Sequence, residues 1–364
     1  MKRPALIAAL LLWAVPLLVI SGMVIRRPTH RSAMKVYHQA AEDWMAQAPL
    51  YSRSLEYNYL PVFAPLFGPF HWLPVPVGDL LWRWLAAGLV ASGLWRLTRG
   101  VDRAFLMVTV LALPLSLGAL RNGQANGLLA GVLLHTVACL HNGQWWSAAG
   151  LTAAAVAVKP IALVLALLAP LVYRKAFWPL TVSLVMLAVL PFAFGAPSYV
   201  WEEHGAFLSN LRSCSAVTEH RFADLNGMLR TLGWELPPAV SVAVRVLAGL
   251  VTAFVWWRAR EMEEPSRALW FYVLATVYLM LFNPMTETNS YVVVVPALAL
   301  WAERILSQPA ARALGWVLVG IVVAMSVLSP TRFGFKLFWY PAMTLAFFVG
   351  VSVFLSLDKA KSKR

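Results

Sequence analysis

The residues of this sequence best suited to chemistry are a few charged side chains set within or beside long apolar runs. Lys159 interrupts one such run and is followed directly by Pro160. A cation at membrane depth is costly, so it usually faces a partner or an aqueous cavity. Pro160 would break the helix, and broken helices at membrane depth often line substrate cavities. Lys159 is therefore predicted to bind a phosphate or pyrophosphate group.

Three carboxylates are the candidate general bases: Glu42, Asp43 and Glu287. Glu42 and Asp43 are neighbours on a predicted surface helix, where adjacent side chains point about 100° apart, so at most one faces a given pocket. Glu287 lies in a short corner between two apolar runs, and its alternative role is to cap the following helix. Most isolated loop carboxylates are simply solvated, and that alternative stays open for all three.

Other polar residues favour an anionic ligand over a metal or a nucleotide. Arg121 ends an apolar run at a polar turn that contains glycine. The histidines on the predicted outer side are His30, His38, His71, His204 and His220. None of them has a metal-ligand spacing such as H-E-x-x-H, so we expect no metal site. Neither a P-loop nor a G-x-G-x-x-G motif occurs, and we expect no nucleotide or other cofactor.

The composition determines which elements must position these residues. Of 364 residues, 60% are hydrophobic and 13% are charged, against about 45–50% and 25% in soluble domains. A chain this apolar cannot cover its surface with polar groups, which excludes a soluble enzyme. The net charge of +14 is explained by the bias of Lys and Arg toward cytoplasmic loops, so we expect no nucleic-acid partner.

The expected fold is an all-α polytopic membrane protein forming a single integral membrane domain over residues 1–364, with membrane lipids around it. A span needs about 20 residues, and twelve apolar runs are predicted as spans, two of them short. They cover residues 5–25, 77–97, 104–120, 125–140, 145–158, 161–173, 177–194, 239–257, 268–282, 291–302, 313–328 and 342–357.

The distribution of Lys and Arg predicts cytoplasmic N- and C-termini. Two long loops then lie outside the cytoplasm, at residues 26–76 and 195–238. The first contains a predicted amphipathic helix that lies on the membrane, with Val36, Ala40, Trp44 and Ala48 on one stripe. The apolar, proline-broken stretch 61–70 is predicted to be a re-entrant or interfacial segment.

Several short motifs, taken in order, resemble a known family. They are Gly123-Gln124-Ala125-Asn126, Lys159-Pro160, Asp224-Leu225-Asn226-Gly227 with Arg230, and Asn283-Pro284-Met285-Thr286. The first loop adds Val36-Tyr37 and Tyr57-Asn58-Tyr59. Their shared order and placement resemble the family 87 glycosyltransferases of the GT-C superfamily, which include mannosyltransferases that use polyprenol-phosphate-mannose.

The resemblance implies an inverting membrane hexosyltransferase of the bacterial plasma membrane. It implies transfer of a sugar from a polyprenyl-phosphate-linked donor to a lipid or glycan acceptor on the non-cytoplasmic face. A first-loop carboxylate would deprotonate the acceptor, and cations would stabilise the departing phosphate. The residues implied for donor binding are Tyr59, Arg121, Gln124, Asn126, Lys159, Asn226 and Arg230.

The chain departs from the family pattern at one informative place. Family members usually carry an acid shortly before the position of Tyr37, in a pattern like D-x-x-x-Y, whereas residues 32–36 contain none. The nearest acids are Glu42 and Asp43, one to two helical turns later. Two other functions stay open: a transporter or flippase for a lipid-linked substrate, and a catalytically inactive relative.

Overall fold

A computed structural model describes residues 3–28, 32–52, 56–215, 222–327 and 333–362, and within these ranges the chain is all-α without a β-strand. The first helices are α1 (Pro4–Arg26), α2 (Met34–Met45), α3 (Phe63–His71), α4 (Val75–Leu97), α5 (Asp102–Asn122), α6 (Ala125–His141), α7 (Trp145–Val158) and α8 (Leu163–Val172). The others are α9 (Phe177–Val189), α10 (Pro197–Ser215), α11 (Leu225–Thr231), α12 (Pro238–Arg258), α13 (Ser266–Phe282), α14 (Val295–Leu306), α15 (Arg312–Ser326) and α16 (Phe333–Ser362). The predicted fold class is confirmed.

Within the described ranges, six helical segments are long and apolar enough to cross a membrane: Pro4–Arg26, Asp102–Asn122, Arg174–Ala193, Pro238–Glu261, Pro309–Ser326 and Phe335–Leu355. Shorter apolar helices cover Ala125–His141, Trp145–Val158, Pro160–Val172 and Ser266–Phe282. The chain is therefore a polytopic helical membrane protein. Each apolar run predicted as a span coincides with helical structure, and the count of twelve crossings stays a prediction.

Helices of similar composition occupy different layers. In α6 every residue is buried except His135 and His141, whereas α12 buries only Ser241 and Trp256. A helix that is apolar all round belongs either in a core or against lipid. The contacts place α6 at the centre, packed on α4, α7 and α13, and leave the apolar side chains of α12 at the periphery, where lipid would cover them.

Three helix ends at one end of the bundle are set by local backbone rules. Helix α5 ends at Gly123, whose φ of +64° is left-handed; a Cβ there would come within 2.8 Å of the Arg83 guanidinium. Helices α7 and α13 stop at Lys159 and Asn283, which are extended. Each is followed by a proline, and the residue before a proline avoids helical dihedrals.

The first long loop folds back onto the bundle through α2 and α3. Helix α2 buries Tyr37, Ala41 and Trp44 and packs on α3, which packs on α4. The buried face keeps Ala40 and Trp44 of the predicted stripe and is rotated toward Tyr37 and Ala41, because Val36 is only half-buried and Ala48 lies beyond the helix. The edge of the Tyr37 ring meets Phe67, so this face of α2 contacts protein.

Candidate active site

The broken ends of α7 and α13 open onto one polar cavity, here called the Lys159 cavity. Its volume is about 260 Å³. Five of the predicted site residues line it: Tyr59, Gln124, Asn126, Lys159 and Glu287. They come from the first long loop, the start of α6, the α7–α8 break and the loop after α13, so chain folding brings together residues that are far apart in sequence.

Glu287 supplies a carboxylate to this cavity. Its Oε2 accepts a hydrogen bond of 2.7 Å from Gln124 Nε2, and its side chain does not cap the 3-10 helix Thr288–Val293 that follows. Oε1 has no hydrogen-bond partner among the described residues. A carboxylate held on one oxygen and open on the other can accept a proton from a substrate hydroxyl.

Lys159 supplies the cation. Lys159 directly follows α7, has an extended backbone before Pro160, and interacts electrostatically with Glu287. Its ammonium group forms no hydrogen bond or ion pair of 4.0 Å or less with any residue the structure describes. A half-buried ammonium with open donors can bind an anionic group, which matches the sequence-based expectation of a phosphate ligand.

Asn126 offers the cavity a hydrogen-bond acceptor. Its Nδ2 donates to Gln124 Oε1 at 3.3 Å and to Ser290 Oγ at 3.2 Å. Its Oδ1 is buried and lacks a partner in the described part of the chain. Buried polar atoms without partners are uncommon and costly, so a small shift of the Asn126 side chain toward the cavity would let this oxygen accept from a hydroxyl of a bound sugar.

Two tyrosines from the first long loop complete the wall. Their hydroxyls share a hydrogen bond of 2.8 Å, and the Tyr37 hydroxyl also accepts from Ala125 N–H at 3.0 Å. Burial raises the pKa of Tyr37 to about 12 and raises the pKa of Tyr59 well above its ordinary value. Both hydroxyls therefore stay protonated, which leaves the carboxylates as the bases available to this cavity.

A buried charged network holds the turn that carries Gln124. Arg83 is 1% exposed and donates to the carbonyls of Leu120 at 3.0 Å and Arg121 at 3.3 Å. Its NH1 lies 3.6 Å from Asp79 Oδ2. Asp79 Oδ1 accepts from His38 Nε2 at 3.0 Å. The guanidinium thus satisfies carbonyls that end α5, as free helix ends require.

The predicted first-loop bases lie outside the Lys159 cavity. Asp43 Oδ1 accepts from Gln39 Nε2 at 2.9 Å, and Asp43 lines a neighbouring pocket of about 220 Å³ with Lys35 and Glu56. Glu42 is exposed on α2. Glu56 lines both that pocket and the Lys159 cavity. The catalytic roles of Glu42 and Asp43 stay predictions, and Glu56 is the first-loop carboxylate that lines the Lys159 cavity.

The remaining predicted donor ligands lie in neighbouring sites. Arg121 lines a cleft that shares Gln124 with the Lys159 cavity. Asn226 and Arg230 line a cavity of about 300 Å³ together with Arg245. Pro284 and Met285 line both this cavity and the Lys159 cavity. The donor-binding roles of Arg121, Asn226 and Arg230 stay predictions, and the structure brings none of them to the Lys159 cavity.

Sequence reasoning missed the His38–Asp79–Arg83 network. The signal was available, because Asp79 and Arg83 are opposite charges four residues apart in an apolar run, where ionisable residues usually pair. His38 also contacts His71 Nδ1 at 3.1 Å through its own Nδ1. His30 and His220 lie outside the described residues.

The fold and the site together define a class of protein: a helical membrane protein with a polar, charged cavity at the broken ends of two helices. Residues 57–284, more than half of the chain, match the family model described as glycosyltransferase family 87. The chain belongs to glycosyltransferase family 87 and is a membrane glycosyltransferase. Comparison with curated proteins and with solved structures gave no match. The sequence-based resemblance is confirmed.

Proposed function

We propose that this glycosyltransferase moves a hexosyl group, such as mannosyl, from a polyprenyl-phosphate-linked donor to a lipid or envelope glycan acceptor. The transfer inverts the anomeric centre and takes place on the extracytoplasmic face of the bacterial plasma membrane. One observation carries the proposal: the Glu287 carboxylate and the Lys159 ammonium line the same cavity. A base for the acceptor and a cation for the leaving phosphate are the two groups that this reaction needs.

The proposed step is a single displacement. An acceptor hydroxyl attacks the anomeric carbon of the donor sugar and passes its proton to Glu287. The bond between that carbon and the phosphate oxygen breaks, and the polyprenyl phosphate leaves with the bonding electron pair. Lys159 stabilises the negative charge that develops on the phosphate, and Asn126 Oδ1 accepts a hydrogen bond from a sugar hydroxyl.

Geometry favours Glu287 as the base over the first-loop acids proposed from the sequence. Glu287 is held by Gln124 at 2.7 Å and lies close enough to Lys159 for electrostatic interaction. Asp43 lines a neighbouring pocket and does not line the Lys159 cavity. Glu56 is the competing base, because it lines the same cavity from the first long loop.

The test is transfer of labelled sugar from polyprenyl-phosphate-mannose in membranes containing each variant. We expect Glu287→Gln to lower the rate by about 10²–10⁴-fold, the usual worth of a general base, while glutamine keeps a partner for Gln124. We expect Lys159→Met to lower the rate by about 10²–10³-fold, as loss of an oxyanion donor does. Glu202→Gln and Lys175→Met, which change exposed residues of the same types, are the matched controls.

The outcomes separate the candidate bases. Loss of transfer in Glu56→Gln with normal transfer in Glu287→Gln would assign the base to Glu56. Normal transfer in both of these variants and in Lys159→Met would remove the Lys159 cavity as the catalytic site. Loss in Asp43→Ala alone would instead support the base proposed from the sequence.

A further inference from the structure

Beside the Lys159 cavity lies a second opening, here called the Arg121 cleft, with a volume of about 620 Å³. Three cations line it: Lys35 from α2, Arg121 from the last turn of α5 and Lys336 from the first turns of α16. The other residues that line it are small or uncharged, and no carboxylate is among the described residues in its wall. Three separate elements therefore direct positive charge into one opening.

These cations are not paired within the described part of the chain, although Lys35 also lines the pocket that contains Asp43 and Glu56. Lys35, Arg121 and Lys336 form no ion pair of 4.0 Å or less there. A cation in the last turn of a helix is commonly explained by the helix dipole and the free carbonyls. At the end of α5 that role belongs to Arg83, which donates to the carbonyls of Leu120 and Arg121. The Arg121 guanidinium is left available to a ligand.

The cleft adjoins the proposed reaction centre. Gln124 and Ala33 line both openings, and Gln124 donates to Glu287 across this boundary. A substrate anchored in the cleft would reach the base from the side of Gln124. The donor phosphate leaves from the reacting carbon, so the cation that stabilises it must lie next to that carbon. In the proposed reaction this cation is Lys159 of the Lys159 cavity. A second anionic group in the cleft therefore belongs to the other substrate.

We propose that the Arg121 cleft binds a phosphate group of the acceptor, in place of the donor-binding role that the resemblance implies for Arg121, so that this transferase selects a phosphate-bearing acceptor. The assignment of this phosphate to the acceptor rests on the proposed function, whereas the existence of an anion site in the cleft does not depend on it. The phosphate can belong to a lipid headgroup or to a water-soluble sugar phosphate. The chemistry of recognition is shared: guanidinium and ammonium groups bind phosphate oxygens through charge-assisted hydrogen bonds.

The binding experiment uses the full chain in nanodiscs made only of phosphatidylcholine. The soluble arm compares glucose 6-phosphate with glucose by calorimetry. The lipid arm compares phosphatidylglycerol with neutral glucosyl diacylglycerol by native mass spectrometry. We expect the phosphorylated member of at least one pair to bind, and to bind more weakly at high salt. The arm that responds identifies the source of the phosphate.

The decisive variant is Arg121→Gln combined with Lys336→Gln. We expect about tenfold weaker binding for each cation removed, the usual worth of a hydrogen bond to a charged group. The matched control, Arg174→Gln with Lys175→Gln, removes one exposed arginine and one exposed lysine elsewhere and should bind normally. Equal binding of the charged and neutral probes, or equal loss in the control variant, would overturn the proposal.

The two proposals fail in different ways. Glu287→Gln should still bind the phosphorylated probe while losing transfer. If this variant binds and also transfers sugar normally, the assignment of the base fails and the anion site stands. If the wild type transfers sugar but binds neither phosphorylated probe, the anion site fails and the proposed function stands.

Discussion

At the scale of single residues, burial shifts the pKa of ionisable side chains. Asp224 shows this outside the catalytic cavity. Its side chain caps α11 by accepting from Gly227 N–H at 2.7 Å. Burial raises the pKa of Asp224, and the hydrogen bond from Gly227 offsets only part of that effect. The folded protein therefore binds this proton more tightly than the unfolded chain does.

This linkage predicts a pH dependence that one substitution should remove. An acid with a raised folded-state pKa favours folding less as pH rises from its ordinary value, about 3.9, through its folded value. Asparagine is an equally good N-cap and carries no charge. We expect Asp224→Asn to unfold at a higher temperature than the wild type near neutral pH, with the difference shrinking as pH falls.

Thermal unfolding in detergent across a pH series measures this effect. Glu202→Gln, at an exposed acid in the same long loop, is the control and should follow the wild type. A stability gain in Asp224→Asn that is the same at every pH would argue against a titration of Asp224.

At the scale of elements, short helices hold the second long loop in place because backbone atoms approach closely. Gly227 in α11 is the tightest example, since a Cβ there would lie 1.4 Å from the carbonyl oxygen of Phe222. Gly205 in α10 has nothing within 4 Å of such a Cβ. The two glycines belong to the same predicted loop and differ in what surrounds them.

We therefore predict opposite effects for the same substitution in these two helices. Gly227→Ala should lower the free energy of unfolding by at least about 1–3 kcal/mol, because the added methyl group must displace backbone. Gly205→Ala should raise it by up to about 1 kcal/mol, because alanine is the better helix former. Unfolding midpoints of the two purified variants give the comparison. Equal effects at the two positions would contradict the packing seen around α11.

At the scale of the whole molecule, the charge pattern predicts which end of the bundle faces out. The Lys159 cavity, the Arg121 cleft and both long loops fall on the predicted extracytoplasmic side. In a background lacking Cys139 and Cys214, which are free and buried, single cysteines can report this orientation. Ala46 on the first long loop and Lys175 on a predicted cytoplasmic turn are both exposed.

We expect Ala46→Cys to react with a membrane-impermeant maleimide added to intact spheroplasts. Lys175→Cys should react only after the membrane is permeabilised, because the positive-inside bias places it in the cytoplasm. The reverse labelling pattern would invert the topology and move the proposed reaction to the cytoplasmic face. Labelling of both positions before permeabilisation would mean that the spheroplasts leak. A dye-exclusion measurement on the same spheroplasts is the control for such leakage.

The sequence by itself determined the apolar helices and the places where several of them break, but not the helices α10 and α11 of the second long loop. The composition indicates a membrane protein, and the apolar runs predict its helical segments. The rules for residues before proline explain why α7 ends at Lys159 and α13 at Asn283. Gly123 marks the end of α5 by a different local rule, since a glycine in the left-handed conformation commonly ends a helix. These rules act over a few residues, so a single sequence suffices for them.

Only the tertiary structure decided which acid meets which cation. Gln124 and Glu287 are 163 residues apart and form a 2.7 Å hydrogen bond, whereas Asp43, on the helix chosen from the sequence, is held in another pocket. The rotation of α2 follows from the packing of Tyr37 between α3 and the start of α6. No local periodicity encodes such contacts, because they depend on how distant helices pack around α6.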